Sequence, residues 1–238
     1  TALAPLVARQ NEPALILHAF CLCHAQDTEQ AARILAAIGL ANPDSQHPLQ
    51  DLSTLMSGLD QRAAAIAVCR AALLLAPTDK RINTVLGDLL VQTGQFAAAI
   101  TTLTDATTRQ PQNMLAHNLL SMAHTEQGTL DAAEQILSDC LSHEPEHVGT
   151  LANLGSVLAA RGQMELSLSF YHKALALRPQ DARIRVNHSV ALLKAGQYAQ
   201  GWREHEWRLQ MPGHTEHPMD RLLPTLAPDT TLQGQRVL

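Results

Sequence analysis

The sequence predicts an all-α solenoid, a right-handed superhelix built from about six helical hairpins. The first observation is a set of prolines at one constant spacing, at positions 43, 77, 111, 145 and 179. The second is that the same spacing relates columns of small residues and of glycines. In such an array each hairpin contacts only its neighbours, so the core grows with the number of repeats. A chain of 238 residues suits one elongated array.

Two columns of small residues indicate where the helices of each hairpin meet. The eighth residue of each unit is Ala19, Ser53, Gly87, Ser121, Gly155 or Ser189. The twentieth is Ala31, Ala65, Ala99, Ala133, Ser167 or Gly201. Two helices approach closely only where no large side chain separates their backbones. The two columns therefore predict close helix–helix contact within every hairpin.

Glycine and leucine columns complete the unit. The fifteenth residue is glycine in the last four units, where it ends the first helix in a left-handed conformation: Gly94, Gly128, Gly162 and Gly196. Large apolar residues recur as Leu52, Leu86, Leu120 and Leu154 in the first helices, and as Leu35, Leu103, Leu137 and Tyr171 in the second. These columns predict the core.

The register divides the chain into three parts. Residues 1–11 are predicted to form a ragged N-terminal helix or cap. Residues 12–211 form the array, with units 12–45, 46–79, 80–113, 114–147, 148–181 and a degenerate unit 182–211. Residues 212–238 are a proline-containing linker or C-terminal segment, since prolines at 212, 218, 224 and 228 exclude a long helix.

The degenerate unit holds the two tryptophans, Trp202 and Trp207. Terminal repeats are often atypical, because no neighbour covers their outer face. This helix is therefore interpreted either as a cap, with both tryptophans partly buried, or as a docking face for whatever follows. Self-association through apolar end faces is a further expectation.

The pattern resembles the tetratricopeptide repeat (TPR) family, whose repeating unit is about 34 residues long. The resemblance covers roughly residues 12–211, with leucine where the family often has aromatic residues. It implies a scaffold that binds a protein or an extended peptide, without catalytic activity or a cofactor. The first helices of such arrays line a concave groove.

Groove candidates follow from the family's register, in which positions two, five, six, nine, twelve and thirteen face the groove. The sixth residue is Asn153 and Asn187 in the last two units, and Asn118 lies one place away from this column. A carboxamide both donates and accepts, so it can pair with both groups of a peptide unit. The alternative is that these asparagines are simply solvated. The candidate binding set is Asn118, Asn153, Asn187, Ser156, Arg183 and Lys194, whose two cations favour an acidic or serine-rich segment.

A second resemblance lies at the end of the array. The stretch GQYAQGWREHEWR is similar to the junction in bacterial TPR-containing glycosyltransferases, as are Leu232, Gly234 and Leu238. The motif residues are Gly201, Trp202, Glu204, Glu206, Trp207 and Arg208. The asparagine column also resembles the ladder in such enzymes. The alternative function is thus a substrate-recognition domain of a larger glycosyltransferase, whose catalytic domain lies outside these 238 residues.

Composition excludes several other classes. A net charge of −5 with 16% charged residues argues against nucleic-acid binding, which needs a concentrated basic surface. No apolar run reaches the roughly 18 residues of a membrane span. The cysteines at 21, 23, 69 and 140 predict no disulfide and favour a reducing, cytoplasmic setting. The 12 histidines offer no three convergent metal ligands, and no catalytic motif is present, so we expect neither a metal site nor an enzyme.

Overall fold

A computed structural model describes residues 15, 17–19, 21–22, 25, 27–41, 62–75 and 80–211. The described residues contain helices and turns but no strand. The α-helices are, in order, α1 Thr28–Ala41, α2 Arg62–Leu75, α3 Lys80–Gln92, α4 Phe96–Arg109, α5 Met114–Glu126, α6 Leu130–His143, α7 Val148–Ala160, α8 Met164–Leu177, α9 Ala182–Lys194 and α10 Tyr198–His205. A 3-10 helix, Glu206–Gln210, follows α10 directly. The prediction of an all-α solenoid is confirmed.

The hairpins are regular from Lys80 onward. First helices begin at Lys80, Met114, Val148 and Ala182, so the spacing of the prolines in the sequence is also the spacing of the helices. Each first helix has 13 residues, and the second helices α4, α6 and α8 have 14. The last second helix, α10, has only 8 residues before the 3-10 helix begins. The degenerate sequence of the last unit therefore shortens its second helix.

The glycine column ends the first helices as predicted. Gly94, Gly128, Gly162 and Gly196 have φ angles of 72, 78, 80 and 78°. After α7, the Gln163 N–H donates to the Leu158 carbonyl at 2.9 Å and the Gly162 N–H donates to the Ala159 carbonyl at 3.2 Å. This pair of bonds is a Schellman motif, which satisfies carbonyls that the helix end leaves unpaired.

The small-residue columns lie at the contact between paired helices. A Cβ atom added at Gly155 would lie 3.1 Å from the Tyr171 ring, and one added at Gly87 would overlap Leu103. Ala99 and Ala133 are fully buried. The Ser167 hydroxyl donates to the Gly155 carbonyl at 2.7 Å, which joins the two helices directly.

The first helices form the inner layer of the array. Each of α3, α5 and α7 packs against the next first helix. The second helices α4, α6 and α8 each pack against the first helices before and after them. Within residues 80–211, the second helices make no comparable contact with one another. Because neighbouring first helices lie closer together than neighbouring second helices do, the array curves toward the first helices. The side of the first helices that faces away from the second helices is therefore the concave surface.

The N-terminal part departs from this regular stacking. Helices α1 and α2, the second helices of the first two predicted units, pack directly against each other. In a regular array a first helix would separate them. The first helix of the predicted unit 46–79 and the predicted segments 1–11 and 212–238 lie outside the described residues.

Candidate groove on the first helices

The concave surface is open only over part of the array. In the third unit the groove positions Arg81, Thr84 and Val85 are only 3, 6 and 7% exposed. In the fifth and sixth units the equivalent positions include Gly149 and Arg183, which are exposed. The accessible surface therefore runs along α5, α7 and α9, and we call this stretch the open groove.

Large, partly exposed apolar side chains lie on the helices of the open groove. Leu115 and Met122 on α5 are 38 and 41% exposed, and Val190 on α9 is 40% exposed. The repeat register places Leu115 at the second position of its unit and Met122 and Val190 at the ninth. Sequence reasoning missed these three residues, because apolar residues on a helix are ordinarily read as core.

Asn118 is a link between repeats rather than a free amide. It is 7% exposed. Its Nδ2 donates to the Met114 carbonyl at 2.8 Å and to the Thr150 hydroxyl at 3.0 Å. Its Oδ1 accepts a hydrogen bond from Asn153 Nδ2 at 2.8 Å. Both N–H donors of Asn118 are therefore used within the protein.

Asn153 and Asn187 keep hydrogen-bonding groups for a ligand. Asn153 is half-buried and uses one N–H on Asn118. Asn187 is also half-buried, and its carboxamide makes no hydrogen bond to any other described residue. A carboxamide offers two N–H donors and a carbonyl acceptor. Asn153 therefore keeps one donor and its acceptor available for a ligand, and Asn187 keeps its whole amide available.

The other predicted residues divide between interior and surface. The Ser156 hydroxyl hydrogen-bonds the Tyr171 hydroxyl at 2.7 Å, so it faces the second helix. Burial raises the pKa of the Tyr171 phenol to about 12. Arg183 and Lys194 are exposed near opposite ends of α9, and neither forms an ion pair within the described part of the chain.

A polar network crosses the third and fourth units. Asn113 caps α5 by accepting from the Ala116 N–H at 3.1 Å, and its Nδ2 donates to the Thr84 hydroxyl at 3.0 Å. Asn83 Nδ2 donates to Asp105 Oδ2 at 2.8 Å. The N-cap role of Asn113 is readable from the sequence, because asparagine before a helix satisfies orphan N–H groups. Its contact with Thr84 is not.

A surface depression shares Gly149 with the open groove. It has a volume of about 750 Å³ and is lined by Glu144, Pro145, Glu146, His147, Val148, Gly149 and Arg178. The described residues hold no group of three His, Cys, Asp or Glu side chains placed to bind a metal ion. None of the helices described is both long and apolar enough to cross a membrane.

The end of the array confirms one tryptophan expectation and corrects the other. Trp207 is half-buried, with the Arg185 guanidinium 4.4 Å from its ring centroid. Arg185 also forms a bidentate ion pair with Glu204 at 2.8 and 2.7 Å. Trp202, predicted to be partly buried, is 60% exposed. The reason is that no described element lies against its side of α10.

Comparison with known proteins agrees with this architecture. Residues 84–141 and 150–184 match family models described as tetratricopeptide repeat. No curated protein sequence matches the chain. The glycosyltransferase resemblance at residues 201–208 gains no support from these matches.

Solved structures share the fold at low sequence identity. A thermophilic TPR protein of Thermus thermophilus is 20% identical, with a TM-score of 0.62 over 71% of this chain and 92% of that one. A MamA protein is 17% identical, with a TM-score of 0.51 over 68% and 88%. MamA from Desulfovibrio magneticus RS-1 is 13% identical, with a TM-score of 0.53 over 71% and 98%.

Proposed function

Because the chain carries tetratricopeptide repeats, we propose that it is a non-catalytic scaffold that binds an extended segment of a protein partner in the open groove. The observation that supports this proposal is a pair of amides on adjacent first helices, Asn153 and Asn187, whose remaining hydrogen-bonding groups are available to a ligand. An amide pairs with the N–H and C=O of any peptide unit, so this pair holds backbone without demanding a sequence.

The spacing of the two amides suits an extended ligand. Packed helices lie about 8–10 Å apart. An extended chain rises about 3.3 Å per residue, so the two amides would contact peptide units about three residues apart. Asn118, the third predicted member of this ladder, instead supports the ladder by orienting Asn153.

Side-chain chemistry of the groove selects the kind of segment. Met122 on α5 and Val190 on α9 offer partly exposed apolar surface at the ninth position of their units. Arg183 and Lys194 add two exposed cations along α9. A ligand with apolar residues, and with carboxylates where it crosses α9, complements this surface better than a basic one.

Two finer hypotheses accompany the proposal. The buried thiol of Cys140 forms no disulfide within the described part of the chain, which suits a reducing, cytoplasmic setting. The alternative function, recognition of substrates for a bacterial glycosyltransferase, rests on the sequence resemblance around Trp202 and Trp207, on the similar residues Leu232, Gly234 and Leu238, and on the asparagine column. Sequencing the gene beyond residue 238 tests it directly, since an adjoining transferase domain is required.

The scaffold is tested by selecting binding peptides from a display library and titrating one by calorimetry. The double variant Asn153→Ala/Asn187→Ala removes two backbone contacts, each contributing about 1 kcal/mol. We expect affinity to fall about thirtyfold, since about 1.4 kcal/mol corresponds to tenfold. Gln135→Ala, an exposed amide on α6, is the matched control and should bind normally. Unchanged affinity of the double variant, or binding mapped to the second helices, would refute the proposal.

A further inference from the structure

We propose that the packing of α9 against α8 is a pH-sensitive contact: in mild acid, protonation of His188 opens the last unit, residues 182–211, and weakens ligand binding in the open groove. The opening is independent of the proposed function, whereas the effect on binding rests on it. His188 follows Asn187, one of the two groove amides, on the same helix. Helix α9 therefore carries both the titrating group and half of the proposed ladder.

His188 is buried in an interface that offers it no hydrogen bond. It is 2% exposed, at the position that Leu154 holds one unit earlier. Neither ring nitrogen has a hydrogen-bond partner among the described residues. Its ring centroid lies 5.8 Å from that of Tyr171 and 5.1 Å from that of His172, both on α8. Burying an unpaired charge costs far more than burying a neutral polar ring, so this contact accepts the imidazole and resists the imidazolium.

The charged groups that act on His188 do not compensate for its protonation. Helix α7 carries no titratable side chain, and α8 contributes His172, whose positive charge repels a second one. Glu204 on α10 attracts the protonated ring, but both of its carboxylate oxygens already accept hydrogen bonds from Arg185 on α9, at 2.8 and 2.7 Å. Burial, followed by the charge of His172, lowers the pKa of His188 to about 4, with Glu204 opposing the shift and Arg185 adding to it.

The other titratable groups of the packed elements have different partners or are exposed. Those with partners are Lys173 beside the Phe170 ring, His205 on the Ser189 hydroxyl, and Glu206 paired with Arg208. The exposed ones are Glu165, Arg183, Lys194, Tyr198 and Arg203. Among the described residues, the carboxylate that acts on His188 is therefore one that Arg185 already shares.

The last unit is the part of the array that this contact controls. Helix α9 packs against α7 and α8 of the preceding unit, and α10 packs against α9 and the 3-10 helix, so within the described chain this unit has a neighbour on one side only. Its second helix has 8 residues where α8 has 14. In a repeat array, stability is approximately a sum of terms for each repeat and each interface, so an end unit opens without the others. A charge on His188 weakens the interface that holds this unit closed.

The direction of the effect follows from where the proton binds. In the opened unit the His188 ring has an ordinary pKa of about 6.5, whereas in the closed unit its pKa is about 4. The closed unit is therefore fully stable above this window and loses stability as the pH falls through it. From pH 7 to pH 5 the equilibrium constant for opening should rise about twentyfold.

Hydrogen exchange followed by mass spectrometry tests the opening in the full chain without any ligand. After correction for intrinsic exchange rates, the protection of amides in residues 182–210 should fall about twentyfold from pH 7 to pH 5, and that of residues 114–160 much less. His188→Leu should abolish this fall. The matched control is His143→Leu, which removes an exposed histidine of α6 and should leave the fall intact. A fall that is absent from the wild type, retained in His188→Leu, or equally large in residues 114–160 would overturn the proposal.

The second measurement adds a display-selected peptide to the same exchange experiment at pH 5. At about 100 times its Kd, a ligand seated on α9 should raise the protection of residues 182–210 about 100-fold, because it binds the closed unit alone. Coupling is reciprocal, so a peptide that holds the unit closed must bind more weakly when acid opens it. A peptide that binds without raising this protection would overturn the effect on binding. Failure to select any peptide would refute the proposed function instead, while exchange without ligand decides whether the unit opens.

Discussion

Asn153 donates a hydrogen bond of 2.8 Å to the side-chain oxygen of Asn118, so carboxamides of consecutive first helices are joined directly. Asn118 in turn holds Thr150 on α7 at 3.0 Å. The fourth and fifth units are therefore connected by polar contacts as well as by apolar packing. This connection fixes the orientation of Asn153, which the proposed peptide ladder needs.

Replacing Asn118 with alanine should destabilise the array. The change removes its three hydrogen bonds and leaves the Thr150 hydroxyl and the Asn153 amide short of a partner. We expect the free energy of unfolding to fall by about 1–3 kcal/mol in urea titrations. Asn187→Ala is the matched control, since Asn187 forms no such bonds with the described residues, and it should change stability by less than about 0.5 kcal/mol. Equal losses for the two variants would show that the link contributes nothing.

Enlarging the small column should overpack the hairpins. Ala99 and Ala133 are fully buried where paired helices cross. Leucine at either site should cost about 1–3 kcal/mol, because the surrounding core has no space for it. Ala97→Leu adds the same atoms at an exposed position of α4 and should melt like the wild type. Unaltered melting of both buried variants would contradict the packing described here.

The sequence predicted the helices well because its period is enforced by packing and by turn geometry. A Cβ at Gly155 would lie only 3.1 Å from the Tyr171 ring, so a larger residue there would crowd the paired helix. Gly162 has a φ of 80°, a left-handed conformation that other residues resist. A small residue at the first of these positions and a glycine at the second recur in the regular units, so they leave columns that can be read without a structure.

Contacts between units were less predictable. Asn118 and Asn153 fall at neighbouring positions of the register. The register alone does not predict that their side chains hydrogen-bond to each other, or that both N–H donors of Asn118 are used within the protein. The burial of Arg81 and the direct packing of α1 on α2 also depend on neighbours that vary from unit to unit. Trp202 was misjudged because its exposure depends on what lies against α10.

The ion pair between Arg185 and Glu204 should stabilise the last unit. Its side chains are only 21 and 17% exposed, and Arg185 also covers Trp207. Glu204→Gln leaves a half-buried cation without its carboxylate, so we expect a loss of about 1–3 kcal/mol in chemical unfolding. Glu206→Gln makes the same change two residues away, in a pair that is 42 and 60% exposed. Glu206→Gln should lower the free energy of unfolding by less than about 0.5 kcal/mol. Equal losses for Glu204→Gln and Glu206→Gln would show that the less exposed pair contributes no more than the exposed one.

His188 is a polar residue in a column of leucines. It takes the position of Leu86, Leu120 and Leu154 in earlier units, and it is 2% exposed. Neither of its ring nitrogens has a hydrogen-bond partner among the described residues, while its ring lies 5.8 Å from Tyr171 and 5.1 Å from His172. Burial, followed by the charge of His172, lowers the pKa of His188 to about 4, while Glu204 opposes the shift and Arg185 adds to it.

Acid should therefore destabilise the wild type through His188. In the unfolded chain this histidine is protonated below about pH 6.5, whereas in the folded chain it is protonated only below about pH 4. Stability is retained above this window and lost as the pH falls through it, by about 2 kcal/mol near pH 5 for this group. His188→Leu restores the column's leucine. It should raise the free energy of unfolding by about 1–3 kcal/mol at neutral pH, since an unpaired buried polar ring is removed. Urea titrations of both proteins should then diverge further on acidification. A difference between them that stays constant from neutral pH to about pH 5 would show that His188 does not titrate as its surroundings indicate.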